Sequence, residues 1–235
     1  MRLDRVEIAV EPWSWPFASE RREEIARHFA EIRNSRAGVW NGRIMLMHRV
    51  DIAERVLRGA CFEGDYASMC AWRDWNFPDP DIVNFFGAAA LRSADGAYLL
   101  GEMAPSTANA RALYFPCGTP EPADIDATGA VDLAGSIRRE LFEETGVEAS
   151  SFDEPGWIAI RVAGRGILAF LKPLTVAENA DGLRSRIMRH LASQANPELT
   201  DIRVVRGPAD LDDRVSDFVV AFLEDVWRQR AARPR

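Results

Sequence analysis

Residues that anchor metals or disulfides are scarce in this 235-residue chain, which has three cysteines and three histidines. Cys61, Cys70 and Cys117 form no CxxC pair and accompany no histidine cluster, so we expect neither a disulfide framework nor a structural zinc site. No apolar run approaches the 18 or so residues of a membrane span. The first twelve residues also lack the continuous apolar stretch of a secretory signal. These absences predict a cytoplasmic protein with no membrane partner.

Positive charge is in deficit as well, with Lys+Arg 29 against Asp+Glu 36 and a net charge of −7. Binding to a nucleic-acid backbone relies on a basic surface, so we expect no nucleic-acid partner. Nearly all of the positive charge is arginine, whose forked side chain suits phosphate or carboxylate groups, although compositional bias explains most of it equally well. A hydrophobic content of 47% is enough for a sizeable core.

Hydrophobic periodicity predicts an α/β protein in two parts, divided at the proline-rich segment NFPDPD. Residues 1–80, the N-terminal part, form a small α+β domain, and residues 81–235 form a larger one. The helix predicted at 19–33 has Ser19 as its N-cap. The elements of the N-terminal part are strand 5–12, helix 19–33, strands 42–50 and 55–64, and helix 65–75.

The second part begins with two strands joined by the turn SADG and continues through the loop-rich segment 104–130. Asp132 is the predicted N-cap of the next helix, and Gly146 lies just past its end. A second hairpin turns around Ala163 and Gly164. The elements are strands 83–92 and 97–103, helix 131–146, strands 156–162 and 165–174, helix 178–194, strand 201–206, and helix 212–230.

The segment RRELFEETG places three glutamates close together on a helix. Each residue advances about 100° around the helix axis, so relative to Leu133 the bearing of Glu140 is about −20° and that of Glu144 about +20°. Ile137 and Leu141 lie on the same side, at about +40° and +80°. Two carboxylates therefore share the bearing of the apolar stripe, whereas a solvated charged face lies opposite it.

Carboxylates at the edge of a buried face are costly to desolvate and repel each other unless a cation lies between them. Hard divalent cations such as Mg²⁺ take oxygen ligands, and Glu140, Glu143 and Glu144 project toward one point. An ordinary helix with ion pairs such as Arg139 to Glu143 fits the same spacing. The spacing alone leaves both interpretations open.

The segment closely resembles the second half of the Nudix box, which reads R-E-apolar-any-E-E-any-G-apolar. The matching positions are Arg139, Glu140, Leu141, Glu143, Glu144, Gly146 and Val147. The flanking elements are also similar to those of the family over about residues 83 to 230. The resemblance implies a Nudix α/β/α sandwich with a mixed sheet.

The first half of the box departs from the family pattern. Val131 stands where the family has a glutamate and Ile125 where it has a glycine. If the loop carries an insertion, Asp132 or Asp126 replaces the missing carboxylate and Gly129 the glycine.

The resemblance implies hydrolysis of a nucleoside diphosphate linked to another moiety, such as a nucleotide sugar or ADP-ribose. Glu140, Glu143 and Glu144 would hold Mg²⁺ or Mn²⁺, Arg139 would orient the glutamates, and Glu144 would serve as ligand or base. Glu178 and Glu198 are further candidates for the base, although each is also explained as a capping or solvent-facing acid.

Two other interpretations stay open. The departures at Val131 and Ile125 fit a non-catalytic Nudix-like module that binds a nucleotide and regulates another process, and the acidic helix also fits a purely structural role. The partner is expected to be a small nucleotide, with homodimerisation as a family-based guess. Trp40 is interpreted as the lid of a core, with contact to a base or sugar as the alternative.

Overall fold

The structure is a computed structural model that describes residues 1–36, 39–162 and 164–232. Its strands are β1 (Arg2–Leu3), β2 (Arg5–Val10), β3 (Arg43–Ala53), β4 (Val56–Asp65), β5 (Asn84–Arg92), β6 (Tyr98–Met103), β7 (Leu113–Tyr114), β8 (Cys117–Gly118), β9 (Trp157–Val162), β10 (Ile167–Thr175) and β11 (Leu199–Val205). Its helices are α1 (Pro16–Glu20), α2 (Arg22–Ser35), α3 (Tyr66–Asp74), α4 (Leu133–Thr145), α5 (Ala180–Ser193) and α6 (Asp217–Ala231), and a 3₁₀ turn spans Pro122–Asp124.

The larger sheet is mixed and runs in the order β1-β9-β10-β5-β6-β11, with β7 paired to β6 and β8 to β5. Strands β10 and β5 are parallel, with Phe170 opposite Gly87. The other pairings in this sheet are antiparallel. The predicted α/β class with a mixed sheet is therefore confirmed.

Neighbouring residues on β5 show that helices cover both faces of this sheet. Side chains alternate between the two faces along a strand. The ring of Phe86 packs edge-on against Phe218 of α6. On the opposite face, a Cβ atom added at Gly87 would overlap the side chain of Ile137 in α4. The sheet thus lies between α4 and α6, as the predicted sandwich requires.

The N-terminal part contributes a second, three-stranded sheet in the order β2-β4-β3, in which β2 and β4 are parallel and β3 and β4 antiparallel. Trp15, Phe29 and Trp72 are buried in the core between this sheet and α2 and α3. Trp40 is 72% exposed, so its interpretation as the lid of a core is wrong. Its ring lies next to Gly42 in the short loop before β3, at the surface of the protein.

The two parts are joined by strand pairing and by a core to which both contribute residues. Leu3 of β1 pairs with Trp157 of β9 in the larger sheet, and Met47 forms a bridge with Val83. A buried apolar cluster contains residues of both parts, among them Met45 and Phe85. A boundary near residue 80 stays a prediction, and the parts pack through a continuous apolar contact.

Most predicted elements form, with differences at their ends. Ser19 lies inside α1 and does not cap α2, which begins after Arg21. Helix α6 begins at Asp217 rather than at Asp212, because Asp212 accepts the Arg214 N–H in a preceding turn at 3.0 Å. The predicted turn residue Ala163 lies outside the described residues. None of the described helices combines the length and the apolar character that a membrane crossing requires.

Candidate metal and substrate site

Helix α4 carries the RRELFEETG segment, and both of its ends form as the sequence predicts. Asp132 is the N-cap, and its Oδ1 accepts the Gly135 N–H at 2.9 Å. Gly146 ends the helix in the left-handed region, with φ of +67°, a conformation that costs glycine little because it has no Cβ. Ile137 and Leu141 are buried against the sheet, which fixes the rotation of the helix about its axis.

That rotation turns Glu144 and Glu140 toward strand β8. Glu144 is only 5% exposed, and its Oε2 accepts the Cys117 N–H at 3.2 Å. The carboxyl group of Glu140 lies against Gly118, where an added Cβ would overlap it. The Glu143 side chain is 57% exposed and receives the Arg139 Nη1 at 3.2 Å. The structure thus brings Glu140 and Glu144 together at the buried edge and leaves Glu143 at its rim.

Gly118 lets the strand approach Glu140 this closely, and we expect a Gly118→Ala protein to test the position of that carboxylate. The overlapping atoms belong to the end of a flexible side chain, so Glu140 can swing away and the melting temperature should change little. Moving a reacting or ligating group by about 1 Å costs up to about 100-fold in rate, so any turnover that depends on the position of Glu140 should fall at least about tenfold. Gly207→Ala is the control, because an added Cβ meets nothing there. Unchanged turnover of Gly118→Ala would show that the position of Glu140 is not critical.

The clustered carboxylates have raised pKa values. Burial raises the pKa of Glu140 to about 7, with Arg139 lowering it and Glu143 and Glu198 raising it further. Burial also raises the pKa of Glu144 well above its usual value, and the charges of Glu140 and Glu198 add to the effect. The pKa of Glu198 is raised by burial and by Glu143. Glu198 therefore belongs to the same electrostatic cluster.

The two acids considered as alternative bases occupy different environments. Glu198 precedes β11, and its carbonyl accepts the Ala104 N–H at 2.8 Å, which anchors its loop beside β6. The carboxylate of Glu178 binds the Arg186 guanidinium, with an Nη2–Oε2 distance of 2.6 Å, and this pairing lowers its pKa. Glu198 therefore belongs to the carboxylate cluster, whereas Glu178 forms an ion pair with Arg186.

Arg139 links the cluster to an acid that the sequence analysis missed. Its Nη2 donates to Asp124 Oδ2 at 2.9 Å and its Nε to Asp124 Oδ1 at 3.3 Å, while its Nη1 lies 2.9 Å from Glu140 Oε1. Asp124 is 9% exposed. Arg139 is therefore retained between the buried Asp124 and the half-buried Glu140.

The acids expected to replace the missing box glutamate are engaged elsewhere. Asp126 Oδ1 accepts the Thr128 N–H at 2.7 Å within a turn that ends at Gly129, and Asp132 caps α4. Val131 forms a β-bridge with Ile125, so residues 125–131 form a closed loop. Asp124 lies just before this loop and contacts Arg139. The motif E-P-A-D is the sequence signal for this arrangement, since Asp124 Oδ2 accepts the Glu121 N–H at 2.9 Å in a capping turn.

A cleft of about 930 Å³ is lined in part by Cys117 and Gly118, the two strand residues that contact Glu144 and Glu140. Such a volume lies within the range of about 300–1,000 Å³ usual for ligand sites. One side comes from the N-terminal part, through the end of α2 and through α3, and the other comes from the loop before β7 and the start of α6. The space is large enough for a nucleotide, and strand β8 connects it to the carboxylates, none of which lines the cleft itself.

The donor set fits a hard divalent cation, because it consists of carboxylate oxygens that repel one another at low exposure. Within residues 1–36, 39–162 and 164–232, no three His, Cys, Asp or Glu side chains are already disposed as a metal-binding group. Binding would therefore involve rotation of the carboxylates toward the ion, for which the exposed Glu143 has the greatest freedom.

No protein-family model matches the sequence, and no curated protein matches it significantly. Similar solved structures include a MutT protein from Methanosarcina mazei Go1, at 18% identity over 63% of this chain and 95% of the other, with a TM-score of 0.46. Another is the Nudix domain of Shewanella oneidensis NrtR complexed with ADP ribose, at 14% identity over 64% and 89%, with a TM-score of 0.44.

A third similar structure is a bifunctional NMN adenylyltransferase/ADP ribose pyrophosphatase from Francisella tularensis complexed with AMP and a Mn ion. It is 14% identical over 63% of this chain and 42% of the other, with a TM-score of 0.44. Because these TM-scores are below 0.5, the function of this chain has to follow from its own residues and from the geometry of its site.

Proposed function

We propose that this protein is a Nudix-type hydrolase that cleaves the pyrophosphate bond of a nucleoside diphosphate linked to another moiety, with Mg²⁺ or Mn²⁺ as cofactor. The observation that carries the proposal is the group of carboxylates on the RRELFEETG helix, of which Glu144 is buried and Glu140 half-buried against strand β8. A structural helix gains nothing from burying Glu144 and Glu140 together, since each raises the electrostatic cost of the other.

Glu140, Glu143 and Glu144 are the residues that would hold the metal. When bound, the ion neutralises phosphate charge, polarises phosphorus and lowers the pKa of a water molecule. Arg139 holds the carboxylate of Glu140 from one side, and Asp124 in turn fixes the Arg139 guanidinium through two hydrogen bonds. The Cys117 N–H holds Glu144 from the strand side. These contacts pre-orient the carboxylates, which is the main contribution of a protein to such a site.

In the proposed reaction a water oxygen forms a bond to one phosphorus, and the bond from that phosphorus to the bridging oxygen breaks. The bridging oxygen leaves with the electron pair as part of the second phosphate. A carboxylate accepts the water proton, and Glu198 and Glu144 are the candidates, because a raised pKa makes the ionised form of each a stronger base. The products are a nucleoside monophosphate and the phosphorylated moiety.

The rival function is nucleotide binding without catalysis, motivated by the departures at Val131 and Ile125. The contact between Asp124 and Arg139 supplies a carboxylate that the box lacks in sequence, which favours the enzyme. The discriminating assay measures monophosphate release from UDP-sugars, ADP-ribose, NADH, dinucleoside polyphosphates and nucleoside triphosphates, with and without Mg²⁺. Binding without metal-dependent turnover of any of them would establish the rival. Dimerisation and a cytoplasmic location stay predictions.

Metal binding itself can be tested without a substrate. Because a cation relieves repulsion in the folded state only, Mg²⁺ or Mn²⁺ at about 100 times its dissociation constant should stabilise the protein by about 2.7 kcal/mol. This corresponds to a rise in melting temperature of roughly 5–10 °C, measured by differential scanning fluorimetry after chelation. Glu148→Gln, at an exposed position beyond the helix, should keep the full rise, and Glu144→Gln should lose most of it. An identical rise in both variants would place the ion elsewhere.

A further inference from the structure

The cleft at Cys117 and Gly118 is not made by the larger part of the chain alone. Arg36, at the end of α2, and Tyr66, Arg73 and Phe77 contribute to its lining, opposite the loop that contains Arg111. The Arg36 Nη1 donates to the Ala108 carbonyl at 2.7 Å. The N-terminal part therefore reaches the loop between β6 and β7 directly, at the edge of the cleft.

The cleft contains more arginine charge than its own acids neutralise. Three of its arginines pair with carboxylates: Arg73 Nε lies 2.8 Å from Asp74, Arg165 Nη1 lies 3.0 Å from Asp217, and Arg214 Nη1 lies 3.1 Å from Glu102. Within the described part of the chain, the side chains of Arg36 and Arg111 have no carboxylate within ion-pair distance. Asp213 also lines the cleft, and with five arginines against three acids in its lining the cleft has a local excess of positive charge in a protein whose net charge is −7.

Hydrogen bonds to backbone carbonyls connect Arg36 to the loop that contains Arg111. Arg36 uses one N–H group on the Ala108 carbonyl, and a guanidinium has five. Arg111 lies three residues after Ala108, in a turn closed by its own N–H to the Met103 carbonyl at 3.0 Å. Its φ of +64° is unusual for a residue with a side chain. The turn thus presents Arg111 beside the residue that Arg36 contacts.

We infer that Arg36 and Arg111 bind phosphate oxygens of the nucleotide substrate, so that the N-terminal part contributes substrate-binding residues to the site. Forked guanidinium groups match phosphate geometry and make strong charge-assisted hydrogen bonds. The inference rests on the proposed function for the identity of the substrate. It goes beyond that function by assigning two specificity-determining residues, one of which lies outside the part of the chain that resembles the Nudix family.

The test compares Arg36→Gln and Arg111→Gln with Arg33→Gln, an exposed arginine on the same helix as a matched control. Isothermal titration with ADP, inorganic pyrophosphate and adenosine, in the presence of a chelator, measures binding independently of turnover. Each cleft variant should weaken the binding of ADP and pyrophosphate roughly tenfold. Adenosine binding should stay within about twofold, because adenosine carries no phosphate. With the hydrolysed substrate, KM should rise roughly tenfold for each variant while kcat changes much less.

The outcomes separate this inference from the proposed hydrolysis. Arginine-dependent ADP binding in a protein without turnover would support the inference and contradict the proposed hydrolase activity. Turnover that is equally fast and of equal KM in all three variants would retain the enzyme and overturn the inference, as would a wild-type protein that binds neither ADP nor pyrophosphate. Arg36→Gln also loses the Ala108 contact, so if its melting temperature falls, Arg111→Gln decides the result.

Discussion

A Glu144→Gln protein is expected to fold normally and to turn over substrate at least about 100-fold more slowly than the wild type. Glutamine has the same shape, and its amide oxygen can still accept the Cys117 N–H that Glu144 receives at 3.2 Å. It removes the negative charge, so the cluster loses a ligand for a divalent cation and a candidate proton acceptor. Steady-state kinetics with saturating Mg²⁺ measures the loss, and Glu148→Gln is the matched control. Full activity of Glu144→Gln would contradict the assignment of Glu144 as a metal ligand.

The same variant is expected to be more stable than the wild type when no metal is present. Because the folded pKa of Glu144 is raised above its usual value of 4.5, its contribution to stability is full below that value and is lost as pH rises through the folded pKa. Glutamine does not titrate. The melting-temperature difference in chelated buffer should therefore increase as the pH rises above about 4.5, to roughly 2–8 °C once Glu144 is ionised. A variant that is less stable than the wild type at the higher pH would mean that Glu144 already has a compensating partner.

A stability gain that accompanies a loss of turnover is the expected signature of a functional site. In the proposed function a bound cation relieves the repulsion between Glu140 and Glu144, and residues chosen for folding alone would not be placed in this way. The exposed Glu143, which pairs with Arg139, illustrates the contrast. Its replacement should affect stability by no more than about 0.5 kcal/mol.

The parts of this site that could be predicted from sequence are those determined by local structure. The N-cap at Asp132, the helix end at Gly146 and the buried edge with Glu140 and Glu144 all follow from helical periodicity and from capping chemistry within a single continuous segment. Hydrophobic alternation likewise predicts the strands of the mixed sheet, because each strand has a buried face whichever neighbour it pairs with.

The remaining parts depend on contacts between distant residues. Glu198 reaches the cluster because its carbonyl binds the Ala104 N–H, and no local pattern encodes that pairing. Strand β1 has two residues and pairs with β9, far along the chain, which periodicity over so short a segment cannot reveal. Arg36 and Arg111 line one cleft only when the two parts of the chain pack.

Asp124 shows why a residue that precedes a loop is missed when a sequence motif is matched by spacing alone. The Nudix pattern fixes a spacing, and the residue at that spacing is Val131, which packs beside Leu133 and Phe170 in an apolar cluster. The β-bridge between Ile125 and Val131 makes the intervening residues a separate loop. The carboxylate that faces Arg139 therefore lies earlier in the sequence, before the loop begins.

This placement predicts different consequences for three aspartates of one loop. Asp124→Asn should reduce turnover about 10–100-fold, because an amide cannot balance the charge of Arg139 or keep both of its hydrogen bonds, and the guanidinium would then draw Glu140 out of position. Asp132→Ala removes an N-cap and should cost about 1 kcal/mol of stability. Asp126→Ala should loosen only the exposed turn around Thr128. The last two variants should keep wild-type turnover well below their melting temperatures.

Kinetics and chemical denaturation on all three variants separate the roles, and metal titration adds a further measurement. If Asp124 positions the cluster through Arg139, the asparagine variant should bind Mn²⁺ more weakly by a similar factor, and Asp124→Glu should recover part of the activity because it restores the charge. If turnover falls in Asp126→Ala instead, the carboxylate of the exposed turn must move to Arg139 during the reaction. If it falls in none of them, Arg139 holds Glu140 without an acid behind it, and the missing box glutamate has no replacement in this chain.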